Sequence, residues 1–130
     1  MAEFSAMTEQ QRRNFRVPVQ MDSFVYPADK SWSGRRKIQT IDVSCGGIAF
    51  YADPGLKPGD IVEVVLPMTV NPLIVQVELL RKEQTEGEYA RYAAKFIALG
   101  PEADQMIGEA VFQIQRQNRL WTRNEEETEV

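Results

Sequence analysis

The sequence contains no histidine and a single cysteine, Cys45. One cysteine excludes an internal disulfide and a zinc cluster built on cysteines. The absence of histidine removes the most common general base, the most common transition-metal ligand and every Ser-His or Cys-His catalytic pair. The 19 Asp and Glu residues show no spacing diagnostic of acid-base or metal chemistry. We therefore expect a protein that is not an enzyme and that needs no metal or cofactor.

Long apolar runs are also missing. No uninterrupted apolar stretch approaches the roughly 18 residues of a membrane span, and the first residues lack the basic-then-apolar layout of a signal peptide. We therefore expect a cytoplasmic protein without membrane insertion. Its 130 residues, 43% hydrophobic and 26% charged, predict one ordinary globular domain with its own core.

The net charge of -4 conceals an asymmetry. Residues 1–40 contain seven Lys/Arg against four Asp/Glu, and residues 41–130 contain eight against fifteen. A basic segment on an otherwise acidic protein favours a small anionic ligand, because the remaining surface would repel a nucleic acid. The alternative is a barrel that binds single-stranded nucleic acid. Such proteins interleave aromatic platforms with basic residues, and only Phe15 lies among the arginines here.

The first of two notable polar segments is rich in arginine. Arg12, Arg13 and Arg16 supply guanidinium groups that bind phosphate or the O6/N7 edge of guanine bidentately and that stack on a base. Taken alone, the segment would more often be a solvated basic flank. A second basic cluster, residues 35–37, is interpreted as a solvated strand edge, and a supporting contact with phosphate is left open.

The second segment follows about 30 residues later. The carboxylate of Asp42 can accept hydrogen bonds from N1–H and N2–H2 of guanine, and the hydroxyl of Ser44 can donate or accept. Glycines at 46 and 47 allow backbone N–H groups to approach a ligand closely. The alternative for Asp42 and Ser44 is a turn that closes a strand, with Gly46 and Gly47 supplying positive φ. Cys45 is interpreted as a small residue in that turn.

Together the two segments resemble the signature of the PilZ domains, bacterial receptors for the second messenger cyclic di-GMP. The motifs of that family are Arg-x-x-x-Arg and Asp/Asn-x-Ser-x-x-Gly. They are matched here by Arg12 and Arg16, with Arg13 between them, and by Asp42, Ser44 and Gly47. No motif position is substituted, and the resemblance runs from about residue 10 to about residue 115.

Alternating apolar residues and tight turns predict six strands. The expected strands are residues 17–26, 37–43, 47–51, 61–66, 73–82 and 89–99, with a hairpin at 83–88. Residues 37–43 are expected to alternate regularly as the second strand, which leads the second motif into a turn at residues 44–47. Six strands without crossover helices predict a mainly β fold, an antiparallel six-stranded barrel, and the resemblance implies that this barrel is of the PilZ type.

A helix is predicted to follow the last strand. Pro101 suits a first helical turn, and Ile107, Ala110 or Val111, and Ile114 recur at helical spacing, so residues 102–119 should form an amphipathic helix that caps the barrel or docks a partner. We divide the chain into a flexible leader, 1–9, a PilZ domain, 10–120, and an acidic tail, 121–130. The roles of Trp32 and Trp121 stay open, as either covers an end of the core or anchors a partner.

The resemblance also implies a mechanism. The arginines would bind the phosphates and guanine edges of cyclic di-GMP, with Asp42 and Ser44 holding one guanine and Gly46 and Gly47 completing the site. Binding would reorder the leader and change a surface read by a bacterial partner protein that controls motility, exopolysaccharide or biofilm. A PilZ-like interaction module without ligand is the alternative. The partner, the oligomeric state, and whether one ligand or a stacked pair binds are open.

Overall fold

The computed structural model describes residues 14–28 and 34–129, with side chains as far as residue 118. The predicted leader, the side chains of Arg12 and Arg13, and those of Trp32 and Trp121 lie outside the described residues. The described elements are β1 (Val17–Pro18), β2 (Asp22–Pro27), β3 (Arg36–Val43), β4 (Gly47–Ala52), β5 (Ile61–Leu66), β6 (Leu73–Gln84), β7 (Ala90–Ile97) and α1 (Pro101–Glu129).

The strands form one closed antiparallel barrel. Their order is β1-β3-β2-β5-β6-β7-β4, and pairing between β3 and β4 closes the ring. Six strands, β2 to β7, make the barrel, while the two-residue β1 pairs only with the end of β3. The predicted six-stranded barrel is therefore confirmed. Its interior is filled by the alternate apolar side chains of all six strands, as a half-buried antiparallel sheet requires.

The predicted first strand, residues 17–26, is divided into β1 and β2. Backbone bonds still join the intervening residues to β3, since Val19 N donates to Ile41 O at 3.0 Å and Thr40 N donates to Met21 O at 2.9 Å. The Thr40 hydroxyl also enters this ladder. It donates to Val19 O at 2.6 Å and accepts from Met21 N at 2.9 Å. A side chain that takes up ladder positions interrupts regular pairing, which explains the division.

Helix α1 begins at Pro101 and packs against β1. Ile107, Ala110 and Val111 are buried and Ile114 is partly buried, so the predicted apolar stripe does pack on the barrel core. The helix extends to Glu129, beyond the predicted end at 119. Residues 120–129 contain neither glycine nor proline, and glutamate and arginine are good helix formers. The separation of an acidic tail from the domain stays a prediction.

Tyr92 of β7 ties the β4–β5 connection to the core. The residue is fully buried, and its ring stacks on Phe50 with centroids 5.7 Å apart. Its hydroxyl donates to Asp53 O at 2.7 Å and lies 3.2 Å from Leu56 O. Burial of the hydroxyl raises the pKa of Tyr92 above its ordinary value of 10.0.

We expect Tyr92→Phe to lower the free energy of unfolding by about 1 to 3 kcal/mol, because the hydroxyl that donates to Asp53 O and lies beside the buried Leu56 carbonyl is removed. The folded-state pKa of Tyr92 is raised, so its contribution is complete below about pH 10 and is lost as pH rises further. Urea unfolding at several pH values should therefore show the difference between wild type and variant shrinking above about pH 10. The exposed Tyr89 offers a control, and an equal loss in Tyr89→Phe would contradict the assignment.

Candidate functional site

A β-bulge in β3 decides where Asp42 points. Cα pairing with β4 shifts between Thr40, opposite Phe50, and Asp42, opposite Ala49, so Ile41 is the additional residue. Regular alternation would direct Asp42 to the same face as Thr40, into the barrel. The bulge instead directs it outward, and 21% of its side chain is exposed. The expectation of regular alternation through residues 37–43 was wrong, and bulges of this kind commonly re-aim a side chain at a functional site.

Arg16 forms an ion pair with Asp42, with Nη1 and Oδ1 2.5 Å apart. The pairing of β1 with the end of β3 explains the contact, because Pro18 lies opposite Asp42 and carries Arg16 to the same place. The Arg16 side chain is 43% exposed. A pair so open to water contributes about 0.2 to 1 kcal/mol to stability. The two predicted motifs therefore meet at this point, through an interaction weak enough for a ligand to rearrange.

Ser44 closes the turn between β3 and β4. Its side chain is buried, and its Oγ accepts hydrogen bonds from Gly46 N at 3.2 Å and Gly47 N at 3.1 Å. The backbone of the same turn is closed by Ser44 N, which donates to Gly47 O at 2.9 Å. Ser44 thus forms the serine turn considered as the alternative to ligand binding. This turn holds the end of β3, and with it Asp42.

Gly47 permits β4 and β7 to lie close together. A Cβ atom at this position would lie 2.2 Å from the carbonyl oxygen of Ala94, much closer than any non-bonded contact. Positive φ, considered as the reason for the glycine pair, occurs among the described glycines at Gly34 and Gly59 and not at Gly46 or Gly47. At Gly47, therefore, contact between strands requires the absence of a side chain.

The motif turn also contacts helix α1. Cys45 is buried in the turn, as expected for a small residue there. A Cβ atom on Gly108 of the helix would lie 4.0 Å from the Cys45 sulfur. Helix α1 therefore lies next to the turn that carries the second motif.

Small side chains continue the outward surface beside Asp42. Across the sheet, Asp42 lies opposite Ala49, Ala49 opposite Ala93, and Ala93 opposite Arg81. Two alanines separate the carboxylate from the exposed Arg81, and of these Ala49 is buried and Ala93 is partly buried. No motif marks this row, although the spacing of Ala49 from Gly47 by two residues on one strand places both on the same face.

The described residues contain no candidate metal centre. Within residues 14–28 and 34–129, no three His, Cys, Asp or Glu residues are grouped so as to hold a metal ion. In that same part of the chain, every helix is too short or too polar to cross a membrane.

The residue motifs and the barrel agree with comparisons to known proteins. A sequence model described as the PilZ domain matches residues 10–113. No significant match was found among curated protein sequences. Several solved structures share the fold, and their sequence identities to this chain are low.

Three of these structures illustrate the similarity. Escherichia coli YcgR in complex with c-di-GMP has a TM-score of 0.69 and 18% identity over 88% of this chain and 50% of the YcgR chain. The PilZ domain of YcgR with c-di-GMP has a TM-score of 0.64 and 19% identity, covering 88% and 98%. Bacillus subtilis MotI, an inhibitor of motility, has a TM-score of 0.64 and 18% identity, covering 84% and 54%.

These matches differ in extent. This chain spans about half the length of the YcgR and MotI chains but nearly all of the isolated YcgR PilZ domain. The similarity is therefore confined to one module of the larger proteins, and it concerns the barrel with its helix. Since the family model matches most of the sequence, including both motifs, this chain belongs to the PilZ domain family.

Proposed function

We propose that this protein is a receptor for cyclic di-GMP. The observation that carries the proposal is the outward-facing ion pair between Arg16 and Asp42, which unites the two PilZ motifs at one surface position. A guanidinium group and a carboxylate side by side complement a guanine nucleotide. The arginine matches phosphate or the O6/N7 edge, and the carboxylate matches the N1–H and N2–H2 donors. The cyclic di-GMP complex of the YcgR PilZ domain supports the choice of ligand.

The remaining motif residues divide into two groups in this proposal. Arg12 and Arg13 bind phosphate and stack on a base together with Arg16. Ser44, Gly46 and Gly47 act by holding the turn, because the Ser44 hydroxyl already accepts from both glycine N–H groups. The turn keeps Asp42 in its outward position before the ligand arrives, which lowers the ordering cost of binding.

Isothermal titration of cyclic di-GMP into the wild-type protein tests the proposal. Cyclic di-AMP, GTP and a short single-stranded RNA serve as controls. We expect saturable binding of cyclic di-GMP alone, and the stoichiometry will distinguish one ligand from a stacked pair. Absence of binding in both calorimetry and a direct binding assay would reject the proposed receptor function. It would favour a PilZ-like interaction module without ligand. RNA binding that weakens steeply with salt, without a response to cyclic di-GMP, would favour the nucleic-acid alternative.

Asp42→Ala should weaken cyclic di-GMP binding about 10- to 100-fold, since hydrogen bonds to a charged group contribute about 1.5 to 3 kcal/mol. It should also reduce the preference for cyclic di-GMP over cyclic di-AMP, because adenine lacks the donors that the carboxylate recognises. Titration of both ligands measures the two effects. Glu78→Ala is the matched control, as it removes another outward ion pair, with Lys95 at 3.6 Å. An unchanged preference of Asp42→Ala for cyclic di-GMP over cyclic di-AMP would show that Asp42 does not recognise the base.

The output of the receptor is conformational in this proposal. Ligand binding replaces the Arg16–Asp42 pair with contacts to the ligand and biases the arrangement of the arginine segment, the motif turn and helix α1. The approach of Cys45 to Gly108 supplies a contact between turn and helix. A partner protein of the motility or exopolysaccharide machinery would read the altered surface, as the description of MotI as an inhibitor of motility suggests.

A further inference from the structure

An aromatic groove lies on the outer face of the barrel beside the candidate site. Its volume is about 730 Å³, within the range of small-molecule sites. Side chains of β2, β3 and β4 and the tip of the β6–β7 hairpin line it, among them Asp22, Phe24, Gln39, Tyr51 and Tyr89. The guanidinium of Arg35 lies over the Phe24 ring, 4.1 Å from its centroid, and braces that wall of the groove.

The groove lies one outward-facing row of the sheet away from Asp42, which is not itself among the lining residues. Gln39 lies three residues before Asp42 on β3, or about 10 Å along the strand. Tyr51 is opposite Gln39 on β4, and Asp22 is opposite Gln39 on β2. One cross-strand row therefore carries Asp22, Gln39 and Tyr51, and the next outward row toward the turn carries Asp42. A ligand that starts at Asp42 and extends about 10 Å along β3 would reach the groove.

We propose that this groove receives the second guanine of cyclic di-GMP, with Tyr51 stacking on the base and Asp22 recognising its edge. The inference rests on the proposed function, because the first guanine must be held at Asp42. In the extended conformation of a cyclic dinucleotide, the two bases project from opposite ends of the ring. When one base contacts Asp42, the other is directed away from it along the surface.

The chemistry of the groove suits guanine in particular. Tyr51 and Tyr89 line the groove with aromatic rings, which stack on nucleobases, while one face of Phe24 is already covered by Arg35. Asp22 has an exposed carboxylate with no hydrogen-bond or ion-pair partner among the described residues. A free carboxylate accepts from the N1–H and N2–H2 groups that guanine has and adenine lacks. The groove thus repeats, one row away, the chemistry of Asp42.

The first test replaces Tyr51 with leucine, which keeps apolar bulk and removes the aromatic face. Cyclic di-GMP should bind Tyr51→Leu about 5- to 150-fold more weakly than wild type, the range expected for loss of one stacked base. Tyr26→Leu is the matched control, because Tyr26 is a partly buried tyrosine on β2 that does not line the groove. If wild type binds cyclic di-GMP and Tyr51→Leu binds it with the same affinity, the groove does not hold the second guanine. The proposed receptor function would be unaffected by that result.

The second test uses 3′,3′-cyclic GMP-AMP, which carries one guanine and one adenine. Wild type should prefer cyclic di-GMP to this hybrid, because the hybrid places its guanine at Asp42 and its adenine in the groove. Asp22→Ala should remove this preference by weakening cyclic di-GMP alone, while the control Glu63→Ala should retain it. A preference unchanged in Asp22→Ala would overturn recognition by Asp22. Failure of wild type to bind cyclic di-GMP would overturn this inference together with the proposed function.

Discussion

Arg16→Ala is expected to abolish detectable binding of cyclic di-GMP while leaving the barrel folded. The Arg16 side chain is 43% exposed, and its one described side-chain partner is Asp42, so its removal should change the free energy of unfolding by less than about 1 kcal/mol. The free energy of cyclic di-GMP binding should change far more than the free energy of unfolding. Loss of a bidentate charged contact removes roughly 3 to 6 kcal/mol, and a micromolar complex has only about -8 kcal/mol. The residual dissociation constant would be about 0.2 mM or weaker.

Calorimetry and thermal unfolding of the same preparations measure the two effects separately. Arg116→Ala is the matched control, because it removes an exposed arginine on helix α1. Arg16→Lys should give an intermediate affinity, since lysine retains the charge and loses the planar fork. Arg12→Ala is expected to behave as Arg16→Ala does, from the motif alone. Normal binding by either alanine variant would refute the assignment of the site.

Gly47→Ala is expected to destabilise the barrel by about 3 kcal/mol or more. The new methyl group would lie 2.2 Å from the Ala94 carbonyl oxygen, and because the obstacle is backbone, no side-chain rotation can relieve the clash. β4 and β7 must separate, which strains the pairing of Gly47 with Lys95 and the bond from Phe96 N to Gly46 O. Overpacking costs about 1 to 3 kcal/mol, and each broken buried hydrogen bond adds about 1 to 3 kcal/mol.

Urea unfolding measures this loss, which is a large part of the roughly 5 to 15 kcal/mol that stabilise a domain. Gly87→Ala is the control, because a Cβ atom there would make an ordinary contact of 3.8 Å with Thr85 Oγ1. It should change stability by no more than about 0.5 kcal/mol. Similar stabilities of the two variants would contradict the structural role of Gly47. A binding defect in Gly47→Ala would accordingly reflect the fold as well as the ligand.

The sequence predicted much of the fold because the relevant signals are local. Alternating apolar residues and glycine- or proline-rich turns marked the six strands, and Ile107, Val111 and Ile114 marked the buried stripe of the helix. Its end was misplaced, since a glutamate-rich segment is compatible with either helix or solvated tail. The candidate site was predicted only in part. The motifs grouped Arg16 with Asp42, whereas Asp22 and Tyr51 belong to no motif and become neighbours of the site only through strand pairing.

By itself, the sequence determined the residue chemistry: arginines and a carboxylate in two short motifs, a barrel-forming pattern, and no histidine. The tertiary structure alone decided how that chemistry is presented. The bulge at Ile41 turns Asp42 from the core to the surface, β1 brings Arg16 to it, and the approach of β7 requires Gly47. Each depends on pairing between strands distant in the chain, and local periodicity cannot specify a register that only the partner strand sets.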